Sequence, residues 1–150
     1  MKNNVDYILF ALKQACDAEA YGFTRNHSCR NLKTEIQYYW QNKTLGLSGI
    51  SQKKNIPRSK CAVGKRVSEC DVEHVVPQME IVNMLMDMEP KIAKDVENVL
   101  KKYLRVLLVT KEEHAKLNSS GLRSKMPKDW DNNDVWARYR AVGIEPENGS

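Results

Sequence analysis

The chain has 150 residues, 41% of them hydrophobic, and a formal net charge of +5, which indicates one folded globular domain. Its longest apolar runs, such as residues 106–109, are too short to span a membrane, which excludes a membrane partner. The N-terminus carries Asp6 and lacks the apolar core of a secretory signal, so we expect a cytoplasmic protein.

The first part of the chain, residues 1–69, is predicted to be helical and basic. Asn4 is predicted to cap a first helix that ends near Tyr21, where a glycine follows. A second helix is predicted to be capped by Ser28 and to run to about Lys43. Glycines and a proline interrupt regular structure after that point.

Positive charge is concentrated in this part, because no Asp or Glu occurs from Ile36 to Ser68. Such a segment suits a polyanion, since neutralising phosphates releases condensed counterions. A solvated lysine-rich face accounts for the charge equally well. The candidate nucleic-acid-binding residues are Lys53, Lys54, Arg58, Lys60, Lys65 and Arg66.

The central part, residues 70–119, is predicted to contain two strands separated by helices. Val72 to Val76 is typical of a strand that a proline stops. A helix over Gln78 to Met88 follows, and Pro90 suits the first turn of another. The second strand is predicted over Arg105 to Val109, which is rich in β-branched and aliphatic residues.

A helix is predicted directly after the second strand. Thr110 and Glu113 have the spacing of a capping box, in which each residue satisfies a backbone N–H of the other. The helix should therefore run from Thr110 to about Asn118. The fold class predicted for the whole chain, 1–150, is a single mainly helical α+β domain.

The last part, residues 120–150, is predicted to be a tail with a helix. Trp136, Arg138, Tyr139 and Arg140 mix aromatic and basic side chains, which can stack on bases and bind phosphates. A helix that packs Trp136 and Tyr139 on the core is an equally good interpretation. The final residues, 145–150, are expected to be frayed.

Four residues of the central part form a candidate metal and catalytic site. Glu73 and His74 are neighbours on a strand, so their side chains point to opposite faces. His114 and Asn118 are four apart on a helix and share a face. A carboxylate, an imidazole and an amide oxygen suit a divalent cation with open positions for water and phosphate.

These residues, in this order, resemble the HNH, or ββα-metal, nuclease family. The resemblance covers residues 70–119, about a third of the chain, and is carried by Asp71-Val72-Glu73-His74-Val75-Val76-Pro77-Gln78 and by the strand and helix that end with His114 and Asn118. It implies two strands and a helix around one metal ion, and it implies the hydrolysis of phosphodiester bonds, with DNA as the preferred substrate.

The resemblance also implies a role for each residue. His74 would be the general base that takes a proton from the attacking water. Glu73, His114 and Asn118 would hold one divalent metal ion, Mg²⁺ first, with Mn²⁺ or another transition metal as a substitute. The products would carry 5′-phosphate and 3′-hydroxyl ends.

The chain departs from the family in two ways: in the residue at position 105, and in the long, helical link between the two strands, residues 78–104, where the family tolerates insertions. Nine residues before His114, where the family usually has an asparagine that braces the base-bearing loop, this sequence has Arg105. We expect Arg105 to take over the bracing, as a donor to carbonyls of the His74 loop, or to reach a phosphate. Asn98 is the next candidate for that role.

The departure leaves alternatives open. They are a non-cleaving nucleic-acid-binding module with a decayed HNH site, an RNA-cleaving nuclease, and an interaction domain that binds an acidic protein. Restriction, phage defence and mobile-element biology are all compatible settings. The sequence does not determine the oligomeric state.

Overall fold

The computed structural model describes residues 4–40 and 55–148. The fold is α+β, mainly helical with a small two-stranded antiparallel sheet, which confirms the predicted class. The chain divides into two compact units, the first formed by Met1–Ser48 with Ile81–Lys101 and the second by Gly49–Glu80 with Lys102–Ser150. Among the described residues, no helix has both the length and the apolar content needed to cross a membrane.

The first unit is helical. It contains α1 (Asn4–Tyr21), α2 (Arg25–Ser28) and α3 (Arg30–Trp40), and most of α4 (Gln78–Asp87) and α5 (Ala93–Tyr103). Each of the four longer helices contributes aliphatic side chains to its interior because these residues recur at helical spacing. The fully buried ones include Ile8, Leu12, Leu32, Ile36, Ile81, Leu85, Val96 and Leu100.

The N-terminal helices partly match the predictions. The predicted end of α1 at Tyr21 is confirmed, Asn4 is its first residue instead of its cap, and Gly22, with φ of +121°, follows its last residue. The predicted start of the second helix is wrong: Ser28 ends the short α2, whose cap is Thr24, and α3 begins at Arg30. The expected end near Lys43 lies outside the described residues.

The second unit contains the sheet. Strand β1 (Cys70–His74) pairs antiparallel with β2 (Val106–Thr110), and His74 lies opposite Val106. Relative to the predicted limits, β1 begins two residues earlier and β2 one residue later. All five residues of β2 are buried, and other chain segments pair with it along both of its edges.

One short segment pairs with the second edge of β2, and another short segment pairs with that first segment. Arg58 bridges Leu108 in parallel orientation, and the Ser59 N–H donates to the Leu108 carbonyl at 2.9 Å. Ser59 in turn bridges Pro146. The expectation of a frayed tail is therefore wrong for residues 145–147, which this pairing holds in place.

Two helices complete the second unit. The predicted capping box at the start of α6 (Lys111–Ser119) is confirmed: the Thr110 hydroxyl accepts from the Glu113 N–H at 3.1 Å, and the Glu113 carboxylate accepts from the Thr110 N–H at 2.9 Å. In α7 (Ala137–Ala141), Tyr139 is buried as predicted. Arg138 is fully buried as well, which corrects its interpretation as a phosphate-binding surface residue.

Candidate active site

Residues from β1 and α6 meet at one point. Helix α6 follows β2 without a loop and contacts β1, so the two predicted halves of the motif lie together. Glu73 Oε2 lies 2.9 Å from His114 Nδ1. The two side chains are 14% and 34% exposed, so solvent reaches this pair.

The distance between these two atoms is that of a hydrogen bond, and it also equals the spacing of two neighbouring ligands of one metal ion. Neighbouring ligands of an octahedral ion with bonds near 2.1 Å are about 3.0 Å apart. Asn118 is exposed on the same helix, one turn after His114. Within the described part of the chain, no three His, Cys, Asp or Glu side chains are grouped to hold a metal.

A buried arginine holds the other oxygen of Glu73. Arg138, with no exposed surface, donates from Nη2 to Glu73 Oε1 at 3.1 Å and also to the His74 carbonyl. Its Nη1 donates to the carbonyls of Leu122 and Arg123 at 2.8 and 3.0 Å. Arg138 therefore fixes the carboxylate so that only Oε2 faces His114.

His74, next along β1, has a different environment. Its Nδ1 is buried and has no hydrogen-bond partner among the described residues, which is rare for a buried polar atom in a folded protein. Burial lowers the pKa of His74, opposed by the negative charge of Glu73 and assisted by the positive charge of Arg138. The imidazole therefore has a buried nitrogen without a partner among the described residues, on the strand residue next to Glu73.

Arg105 does not make the contacts expected of a bracing residue. Its side chain is exposed, and toward the described residues its guanidinium makes no hydrogen bond or ion pair. Only its backbone carbonyl contacts the His74 loop, by accepting from the Val75 N–H at 3.0 Å. The buried part of β2 starts one residue later, which leaves Arg105 at the surface, and Arg138 makes the expected bond to the loop instead.

The basic candidates mostly have internal partners. Lys53 and Lys54 lie outside the described residues. Arg58 donates from Nη1 to the carbonyls of Ala62 and Lys65, both at 3.0 Å, and so holds a loop. Two others pair with acids, Lys60 with Glu145 and Arg66 with Glu69. Lys65 is exposed.

Arg138 is the residue of this site that sequence reasoning missed. Arg138 and Arg140 flank Tyr139 symmetrically, and no local pattern distinguishes them. Arg140 is exposed and pairs with Asp134, whereas Arg138 is inside. A buried arginine is recognised only by the carbonyls and carboxylate around it, which distant parts of the chain supply.

Comparisons of the chain with protein-family models, curated proteins and solved structures found no match.

Proposed function

We propose that this protein is a metal-dependent endonuclease of the HNH type that hydrolyses phosphodiester bonds, with DNA as its preferred substrate. The observation that carries the proposal is the 2.9 Å approach of Glu73 Oε2 to His114 Nδ1, between β1 and the helix that follows β2. This pair joins the two halves of the sequence motif, which are 41 residues apart in the chain.

In this proposal each residue has a distinct task. Glu73 and His114 hold one divalent ion, Mg²⁺ or Mn²⁺, and Asn118 offers an amide oxygen from the next turn of α6. The ion, when bound, polarises the scissile phosphate and stabilises the departing oxygen. His74, on the opposite face of the strand, accepts the proton of the attacking water at a ring nitrogen. The exposed guanidinium of Arg105 is available to contact substrate phosphate.

One observation favours a second function, that of a nucleic-acid-binding module that does not cleave. Arg138 places a buried positive charge 3.1 Å from Glu73 Oε1. A cation at that distance weakens the attraction of the carboxylate for a metal ion. If this loss exceeds the gain from fixing the carboxylate, the site binds metal too weakly for catalysis.

Plasmid nicking separates the two functions. The pure protein is incubated with supercoiled DNA and Mg²⁺, Mn²⁺ or EDTA, and parallel reactions contain linear duplex, single-stranded DNA or RNA. We expect nicking with either metal and none with EDTA. His74→Ala should lower the rate by about 10²–10⁴-fold, which is typical for loss of a general base.

The matched control is His27→Ala. His27 is an exposed histidine in the first unit, where it stacks on Phe23 with the ring centroids 5.3 Å apart. Its removal should leave the rate unchanged. Nicking at the wild-type rate by His74→Ala contradicts the assignment of the base, and DNA binding without metal-dependent nicking supports the non-cleaving module.

Calorimetric titration with Mn²⁺ tests the ligands independently of cleavage. Glu73→Ala and His114→Ala should each abolish or strongly weaken binding, and Asn118→Ala should weaken it less, because the Asn118 side chain is exposed and lies outside the Glu73–His114 contact. Unchanged Mn²⁺ affinity in His114→Ala contradicts the proposed metal site.

A further inference from the structure

The loop after α6 has a charge pattern that differs from that of the segment around Lys60. No Asp or Glu occurs between Glu113 and Asp129. The loop over residues 122–128 carries Arg123, Lys125 and Lys128, all of them exposed. None of the three side chains has a hydrogen bond or ion pair with the residues that the structure describes. No carboxylate among the described residues is therefore in an ion pair with any of the three side chains.

The backbone of this loop is held at several points. The Leu122 N–H donates to the Leu117 carbonyl at 3.0 Å, and Met126 is buried. Arg138 donates to the carbonyls of Leu122 and Arg123 at 2.8 and 3.0 Å. A loop held in this way presents its side chains from a defined position, which reduces the entropy lost on binding.

The same guanidinium ties the loop to the candidate active site. Arg138 Nη1 bonds the loop, while Nη2 bonds Glu73 Oε1 at 3.1 Å and the His74 carbonyl. The backbone at Leu122 and Arg123 is thus separated from Glu73 and His74 by a single planar side chain. A ligand that contacts both the loop and the Glu73–His114 pair meets positively charged side chains at the loop, so an anionic ligand is favoured there.

We propose that Arg123, Lys125 and Lys128 form a surface that binds the phosphate backbone of a nucleic acid and guides it to the active site. This surface, called here the 122–128 surface, rests on the proposed function for its substrate but differs from the basic residues predicted from the sequence. It carries no sequence readout, because lysine and arginine contacts to phosphates position the strand without distinguishing bases.

The test is the salt dependence of binding, measured in EDTA so that no cleavage occurs. Fluorescence anisotropy follows a labelled duplex DNA and a single-stranded RNA of equal length across a range of salt concentrations. The test variant is Arg123→Gln, Lys125→Gln and Lys128→Gln together. For duplex DNA, its slope of log K against log salt should fall by about 0.9 for each lost contact, or about 3 in all.

A control variant removes the same charge elsewhere. Lys13→Gln, Arg30→Gln and Lys94→Gln change three exposed residues of the first unit. The control should keep the wild-type slope. Equal slopes for the test variant and wild type overturn the 122–128 surface, and so does an equal loss in both variants, since the effect would then be one of net charge.

The outcome is independent of the nuclease proposal. Duplex DNA that binds through the 122–128 surface without ever being nicked leaves this inference standing and removes the proposed activity. If the protein nicks DNA and the test variant keeps the wild-type slope, the nuclease proposal stands and the 122–128 surface is overturned. A slope change for RNA alone supports the surface and assigns it to RNA.

Discussion

The two units place their charged groups differently. In the first unit, Arg25 makes ion pairs with Glu19 and Asp87 at 2.7 and 2.9 Å, and these side chains are 30% to 65% exposed. The second unit also has exposed ion pairs, such as Lys60 with Glu145, but it has buried charged side chains as well. The buried polar or charged residues within the described ranges, Ser59, Thr110, Glu113 and Arg138, all belong to the second unit.

The buried charges indicate that the residues of the second unit are selected for more than the stability of the fold. A buried charge is costly unless it is paired and hydrogen-bonded, and well-packed apolar side chains often stabilise as much or more. The buried residues described in the first unit are hydrophobic. The second unit keeps a buried guanidinium that contacts both Glu73 and the backbone of His74, which is consistent with the positioning of those residues.

Replacing the buried guanidinium should have the largest effect on stability. Arg138→Met leaves Glu73 and three backbone carbonyls without their donor, so we expect a loss of about 3–5 kcal/mol. Arg140→Met, two residues along α7, removes only an exposed ion pair and should cost at most about 1 kcal/mol. Urea denaturation of both variants measures this contrast, and equal midpoints would remove the distinction between the two units.

A cavity in the first unit should lower the stability of the fold by an amount comparable to that for Arg138→Met, but it should leave metal binding unchanged. Ile36 is fully buried in α3, and Ile36→Ala should destabilise the fold by about 2–5 kcal/mol through lost burial and an unfilled cavity. Tyr38→Ala, at an exposed position of the same helix, should change stability by less than about 0.5 kcal/mol. Below its unfolding transition, Ile36→Ala should still bind Mn²⁺ like the wild type, and weaker binding would show that the site depends on that core.

The buried capping carboxylate should have an intermediate effect. Glu113 accepts hydrogen bonds from the Ser59 hydroxyl at 2.6 Å and from the Thr110 N–H at 2.9 Å. Glu113→Ala leaves both donors buried and unpaired, so a loss of about 1–3 kcal/mol is expected. The exposed neighbour provides the control, as Glu112→Ala should stay within about 0.5 kcal/mol in the same denaturation experiment. An equal loss of stability in both variants would contradict a special role for Glu113, because it would mean that any negative charge at the start of α6 stabilises the fold equally.

The smallest effect concerns the surface charges of the first unit. Hydrogen bonds from Arg25 lower the pKa of the Glu19 carboxyl. A lowered pKa in the folded state means that this interaction stabilises the fold above the usual carboxyl pKa and fades as the pH falls through the lowered one. Carboxyl NMR titration should show the Glu19 pKa return toward its usual value in Arg25→Ala. No change on removing Arg25 would mean that the ion pair is not formed in solution.

The sequence alone predicted the fold class, the end of α1 and the start of α6. These features depend on local chemistry: a helical repeat of apolar residues in α1, and the reciprocal hydrogen bonds of Thr110 and Glu113 in α6. The four residues proposed for the site were also chosen from local spacing. Of these, the structure brings Glu73 and His114 into contact and leaves Asn118 exposed nearby.

Only the tertiary structure showed that Arg138, and not the Arg105 side chain, bonds to the His74 loop. Arg105 was expected to brace the His74 loop, but it lies just outside the buried strand, and Arg138 makes that bond from a helix that follows more than 60 residues later in the chain. The Ser59–Pro146 pairing was equally invisible, because it joins segments that have no local strand pattern. Whether an arginine is buried depends on acceptors contributed by distant parts of the chain, and no spacing along the sequence records their positions.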